Sequence, residues 1–268
     1  METPVSVENV EAAPTPPSET TLLTRFRAAI QGSGKRGNNA VFTTADLRGI
    51  IETAAAFNDA VTLTVTGNGI KIRMLDKARI ALMEVELPNS IFLDFFADGE
   101  GDVAVDAKSL LAILRRAKNR KVELKYEDGV LVVTIAGVRS FRVKVLDGST
   151  EEAPQPKVSH TATAYVGAET LREAVIDARV IKADAAKLVA ENNALTFKAS
   201  NETKEVEVRL SDATGAAVAR YSLDYLAKAL KAFSDGIVEV KFGNSAPLEL
   251  STTFNEGYVK VYVAPRVE

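Results

Sequence analysis

A helix-strand unit occurs twice in this chain, and that repetition restricts the possible folds more than any other feature. Asp106 to Tyr126 reads DAKSLLAILRRAKNRKVELKY. Leu110, Ile113, Leu114 and Ala117 recur at helical spacing and predict an apolar stripe. The period-two alternation Val122-Glu123-Leu124-Lys125-Tyr126 of a half-buried strand follows at once. Ser222 to Phe242, SLDYLAKALKAFSDGIVEVKF, sets Leu226 on Leu110, Leu230 on Leu114, Lys231 on Arg115 and VEVKF on VELKY. Earlier segments duplicate as well. Leu171-Arg172 and Val175 match Leu47-Arg48 and Ile51, and Asn193 to Lys198 matches Asn68 to Arg73. The pattern predicts an α+β chain of two duplicated domains, each with two helices packed on antiparallel sheets.

The intervening segments divide accordingly. Residues 1–38 carry Pro4, Pro14, Pro16 and Pro17 among Glu, Ser and Thr, and read as a flexible N-terminal extension in which Leu22 to Ile30 is a short amphipathic helix. Gly32-Ser33-Gly34-Lys35-Arg36-Gly37 lacks both a preceding strand and a following Ser or Thr, so it reads as a linker, not a phosphate loop. The first domain spans 39–147, with Val41-Phe42 a short strand and Thr43 or Thr44 capping a helix to about Phe57. An acidic, Pro-containing connector occupies 148–158, and the second domain runs from 159 to 268. The single His, His160, is expected as a solvated linker residue.

Catalysis finds little support. Zero Cys excludes disulfides, thiolate metal sites and thiol nucleophiles, and no Ser/His/Asp set is present. Asp46 with Glu52, and Glu173 with Asp177, read as helix-surface acids, so neither enzyme activity nor a cofactor is expected. No apolar run reaches membrane-spanning length, which predicts a soluble protein without a membrane partner.

The cations are more informative. Lys108, Arg115, Arg116, Lys118, Arg120 and Lys121 crowd one helix and its exit against Asp106 alone, although the formal net charge is −3. Any polyanion must therefore meet a segregated basic face. Arg48 and Arg172 occupy equivalent helix positions, as do Arg115 and Lys231; a solvated face is the ordinary reading of helix charges, but a face of repeated cations could follow a repeated polyanion.

Several motifs then resemble one family in order and spacing. Ile72-Arg73-Met74-Leu75-Asp76-Lys77-Ala78-Arg79-Ile80 with Glu86-Leu87-Pro88, Leu110 to Ala117, Phe242-Gly243-Asn244 with Pro247-Leu248, and the terminus Val263 to Glu268 resemble the sliding clamps of the proliferating cell nuclear antigen family, archaeal members in particular. The likeness runs from about residue 39 to the end. It implies the DNA-clamp fold and a ring of three subunits, identical or related, around double-stranded DNA, cytoplasmic and associated with the chromosome. Helices would line the hole. Arg48, Arg115, Arg172 and Lys231, with Lys118, Arg179 and Lys228, would face the DNA. Replicative DNA polymerase, clamp loader, flap endonuclease and DNA ligase would dock in a pocket formed by Met74, Arg79, Ile80, Leu82, Pro247, Tyr262, Ala264, Pro265 and Val267 beneath the connector. Val130 to Ala136 and Val206 to Leu210 would pair between subunits.

Departures from the pattern matter too. Gly49 and Ala55 stand where the family often places Lys, implying a weak DNA face on that helix. Ser211 to Tyr221 is roughly ten residues short of the family pattern, which implies a missing or truncated strand near a subunit boundary. That shortening favours an alternative, a clamp-like adaptor that binds proteins without encircling DNA.

Overall fold

The computed structural model describes residues 23–33, 42–147, 153, 156 and 158–266. Its first domain holds β1 (Arg25–Ile30), α1 (Thr44–Phe57), β2 (Ala60–Thr66), β3 (Gly69–Leu75), β4 (Ala81–Pro88), β5 (Asp94–Asp98), β6 (Gly101–Asp106), α2 (Ala107–Ala117), β7 (Val122–Glu127), β8 (Val130–Ile135) and β9 (Arg139–Lys144). The second holds β10 (Ala162–Gly167), α3 (Ala168–Val180), β11 (Ala185–Glu191), β12 (Ala194–Ser200), β13 (Glu205–Gly215), β14 (Ala217–Ser222), α4 (Leu223–Ala229), a 3-10 turn (Leu230–Ala232), β15 (Ile237–Phe242), β16 (Leu248–Phe254) and β17 (Gly257–Val263).

The sheets join into two runs. One has the order β5-β1-β7-β8-β9; the other is β14-β11-β12-β13-β10-β15-β16-β17-β4-β3-β2-β6. The second run crosses between domains where β17 pairs antiparallel with β4, Val261 opposite Met83 and Lys260 opposite Glu84. Each strand sends alternate residues inward, so Ile70, Ile72 and Met74 enter the core while Lys71 and Arg73 stay outside it.

Helices cover one face of the sheets. Thr43 opens α1 with a capping box, its hydroxyl receiving the Asp46 amide while the Asp46 carboxylate accepts the Thr43 amide at 2.8 Å. Leu47, Ile50, Ile51 and Ala54 form the stripe that α1 buries, and Leu110, Leu114 and Ala117 do the same for α2. The four helices lie side by side in the order α2, α1, α4, α3.

Four local expectations change. The segment read as an amphipathic helix is the strand β1, inserted between β5 and β7 with Arg25 opposite both Asp98 and Glu127. Phe26, Ala28 and Ile30 are buried and Arg27 is exposed, so a core strand lies within the expected extension. A six-residue run of Arg, Phe, Ala and Ile is ambiguous between periods, and the two open strand edges decide it. Val41 lies outside the described residues, and Phe42 is not in a strand but packs on Phe254 at 5.1 Å between ring centroids. His160 is not solvated: its side chain is 14% exposed, with Nδ1 3.8 Å from Glu249. The connector mostly lies outside the described residues, but Ala153 within it is buried.

The short stretch after Ser211 costs no strand pairing. In the first domain β4 and β5 are separate strands joined through a 3-10 turn, Asn89–Ile91. In the second, β13 does both jobs: Glu205 to Arg209 pairs with β12, and Ala213 to Gly215 pairs with β10. A register shift between Leu195 and Thr196 absorbs the join. Gly215 has φ +79°, and a Cβ there would fall 1.9 Å from the Thr161 carbonyl oxygen.

Candidate nucleic-acid wall and partner cleft

The helix wall starts from the repeated cations. Arg115 of α2 reaches Glu52 of α1 at 3.0 Å, and Lys231 in the 3-10 turn reaches the same carboxylate oxygen at 3.4 Å. One acid therefore bridges both expected DNA contacts across the domain boundary. The two domains touch closely here. Thr53 donates to the Lys228 carbonyl at 3.1 Å, and the Ser234 hydroxyl bonds Asp46. Gly49 lies in this seam, where a Cβ would stand 2.4 Å from the Lys231 carbonyl oxygen. The position is buried packing, not an outward place from which a Lys has been lost.

The remaining cations divide by partner. Arg172 donates Nη1 to the Phe233 carbonyl at 2.6 Å and Nη2 to that of Ser234 at 2.9 Å, and its guanidinium also binds Glu169. It ties α3 to the loop after the 3-10 turn. Lys228 pairs with Asp224 at 2.6 Å and lies over the Tyr225 ring, while Arg179 stands 3.6 Å from the same Asp224. Arg48 is half-buried on α1. Lys118 is exposed at the α2 C-cap.

Beside Lys118, Arg116, Arg120 and Lys121 are exposed with no ion-pair partner among the described residues. The repeat sets Lys231 on Arg115 and gives these three no counterpart, while their crowding is visible in the sequence. The C-terminal dipole of α2 favours cations there.

A second feature sits where the domains meet the C-terminal tail. A cleft of about 530 Å³ is lined by Ile80, Ala183, Leu223, Tyr225, Ala264 and Pro265, with Arg179, Asp184, Asp224 and Arg266 on its rim. Asp76 builds the turn that presents Ile80. Its Oδ1 accepts the Ile80 and Ala81 amides at 2.6 and 2.7 Å, and its Oδ2 accepts the Ala78 amide at 3.0 Å. The Tyr225 hydroxyl, from the other domain, donates to the same Oδ2 at 2.7 Å. Burial, and then the Asp76 carboxylate, push that phenol up to about 12. Backbone bonds pin the tail: the Ala264 amide to the Ile80 carbonyl at 2.8 Å, and the Arg266 amide to that of Arg220 at 2.7 Å.

The expected pocket residues separate into groups. Ile80, Ala264 and Pro265 line this cleft. Leu82 and Tyr262 are register partners across the domain seam, on the sheet face away from the helices. Burial and the Glu249 and Glu84 carboxylates push the Tyr262 phenol up. Arg79 is exposed and Pro247 half-buried; neither lines the cleft. Met74 points into the core, because its place in β3 alternates inward; the outward neighbour is Leu75. Val267 lies outside the described residues.

Comparison with known proteins agrees with this geometry. The pattern of the proliferating cell nuclear antigen N-terminal domain matches residues 39–146. A DNA polymerase sliding clamp of Pyrococcus horikoshii is 32% identical over 234 residues, covering 82% of this chain and 94% of the relative. The solved proliferating cell nuclear antigen of Thermococcus kodakaraensis superposes with a TM-score of 0.79 at 26% identity, over 90% of this chain and 100% of that one. A chain of the PCNA2–PCNA3 complex of Sulfolobus tokodaii gives a TM-score of 0.78 at 25% identity, again over 90% and 100%. With its duplicated domains, helix wall and tail cleft, the chain belongs to the proliferating cell nuclear antigen family of DNA polymerase sliding clamps.

Proposed function

We propose that the chain closes with two others, head to tail, into a ring that encircles duplex DNA and confers processivity on a polymerase. One observation carries this reading: the junction inside the chain has a matching pair of open edges outside it. The internal junction pairs β4 with β17. By the internal duplication β9 corresponds to β17 and the first half of β13 to β4. Among the described residues β9 pairs only with β8, and Glu205 to Arg209 of β13 only with β12. The interior strand β8, expected at this boundary, already has β7 and β9 on its two sides and cannot serve.

The duplication also supplies a register. Phe141 stands where Val261 stands, and Val206 where Met83 stands, so these two are expected opposite each other between copies. Arg142 then faces Glu205. The β9 edge carries Arg139, Arg142 and Lys144, and the β13 edge carries Glu205 and Glu207 beside Arg209, so the two edges of one chain complement each other. On the helix side, Ile176 and Val180 of α3 are 58% and 72% exposed, and the equivalent of the α1 seam would cover them with the next copy's α2. Such heterologous contacts close only for a suitable rotation per subunit. The fused β13 accounts for the short stretch that had favoured an adaptor.

Inside the ring the helix wall would meet phosphates. Encirclement holds the ring on DNA, so weak, salt-sensitive contacts suffice and allow sliding. Polymerase, clamp loader, flap endonuclease and ligase would share the tail cleft, with apolar anchors beside Ile80 and Pro265.

Absence of cysteine makes the assembly easy to test. Oxidising the Phe141→Cys, Val206→Cys double variant is expected to yield covalent closed trimers on denaturing gels. Only monomer, or open ladders without a closed species, would refute the register. Retention on circular but not linear DNA checks encirclement.

A further inference from the structure

We propose that the outer face of the second domain holds an anion-binding row that takes an acidic stretch flanking the apolar anchor of a cleft-bound partner peptide. This deepens the cleft reading and rests on it. The row is written into the strand register. Lys187 of β11 stands directly opposite Lys198 of β12 on one side and Arg220 of β14 on the other. Directly opposed residues point to the same face, with Cβ atoms about 5 Å apart, where like charges repel. Three cations therefore lie in a line of about 10 Å across three strands.

Their internal compensation is incomplete. Arg220 is 3.6 Å from Asp184 and Lys198 is 3.1 Å from Glu207, whereas the central Lys187 has no ion-pair partner among the described residues. A groove of about 290 Å³ runs over the row. Glu205 and Glu207, on the β13 edge proposed to pair with β9 of the next copy, bound its far side, so the row ends at Lys198.

Position relates this groove to the cleft. Asp184 binds Arg266 at 2.6 Å on the cleft side and Arg220 at 3.6 Å on the groove side. The tail lies along β14 through the Arg266 amide, so the two depressions share one wall. A peptide leaving the cleft past that wall meets Arg220, then Lys187, then Lys198. In an extended chain, carboxylates two residues apart are about 7 Å apart, which lets an Asp-x-Glu stretch bridge the row.

The test uses matched synthetic peptides with two aromatic residues and a leucine as anchor, and a Glu-Ser-Glu or Gln-Ser-Gln flank at either end in turn. Binding is read by calorimetry on the full chain and on the Lys187→Gln, Lys198→Gln variant. For one flank position the acidic peptide is expected to bind the full chain about fivefold more tightly than the neutral one, as two or three exposed charge pairs allow. That gain should vanish in the variant and near 1 M salt, where the screening length is about 3 Å. Equal affinity for the neutral peptide shows that the variant is folded. If acidic and neutral peptides bind alike, or the gain survives in the variant, the row is refuted and the cleft stands. If neither peptide binds the full chain, the cleft reading falls and takes the row with it.

Discussion

At the scale of single residues, the contacts that matter most are those reaching from one domain into the other. Asp76 spends its carboxylate on three backbone amides and the Tyr225 hydroxyl, so the turn bearing Ile80 is held by a group from the second domain. Tyr225→Phe keeps the ring and removes the bond, a loss of about 1 kcal/mol. Peptide affinity for the cleft is expected to fall about threefold while the oligomeric state stays unchanged; unaltered affinity in calorimetry would detach Asp76 from the cleft. The linkage has a definite sign. Burial first, and then the bond to Asp76, raise the phenol from 10.0 to about 12, so the contribution of the protonated phenol is full below pH 10 and is lost as pH rises through about 12. Gly49 gives a second case. Gly49→Ala improves helix propensity by less than about 1 kcal/mol. It also drives a Cβ to within 2.4 Å of a backbone oxygen that cannot swing aside. A net loss of roughly 1–2 kcal/mol is expected, seen as a lower Tm.

Among the elements, β1 and β13 carry the most consequence. Removing residues 1–30 would take away a strand hydrogen-bonded on both sides and expose β5 and β7. The first domain is then expected to lose cooperative unfolding, whereas removing residues 1–22 should leave the thermal transition in place. Calorimetric scans of the two truncations separate a core strand from a dispensable extension. The chain around β1 also shows where local pattern fails: RFRAAI satisfies either period, and only its partners, far away in sequence, choose. For β13 the sequence showed a shortage of residues, and the structure shows how one long strand meets it.

For the whole molecule, the proposed ring is tested through the wall of helices. Arg115→Glu with Lys231→Glu places acids around Glu52 on the helix wall proposed to face DNA. Polymerase stimulation and loading are expected to fall at moderate salt, with the trimer intact in light scattering, because the strand edges are untouched. Undiminished stimulation would move the DNA contact elsewhere, first to Arg116, Lys118, Arg120 and Lys121. Duplication, domain number, helix stripes and most strands were legible in the sequence because each depends on periodicity over a few neighbours. Of the cleft, Ile80, Ala264 and Pro265 were legible through the resemblance of their segments to known motifs, whereas Ala183, Leu223 and Tyr225 were not. Met74 was not: a one-residue difference in strand phase sends it to the core and Leu75 outward.

What the sequence determined by itself was thus the repeated unit and the supply of cations. Only the tertiary structure decided which cations remain available. Arg172 is spent on carbonyls of the Phe233-Ser234 turn, and Arg115 and Lys231 share one carboxylate. The loose row beyond Ala117 has no ion-pair partner among the described residues. The reason is physical: periodicity is a property of neighbours, whereas an ion pair or a tight seam depends on residues brought together from distant parts of the chain.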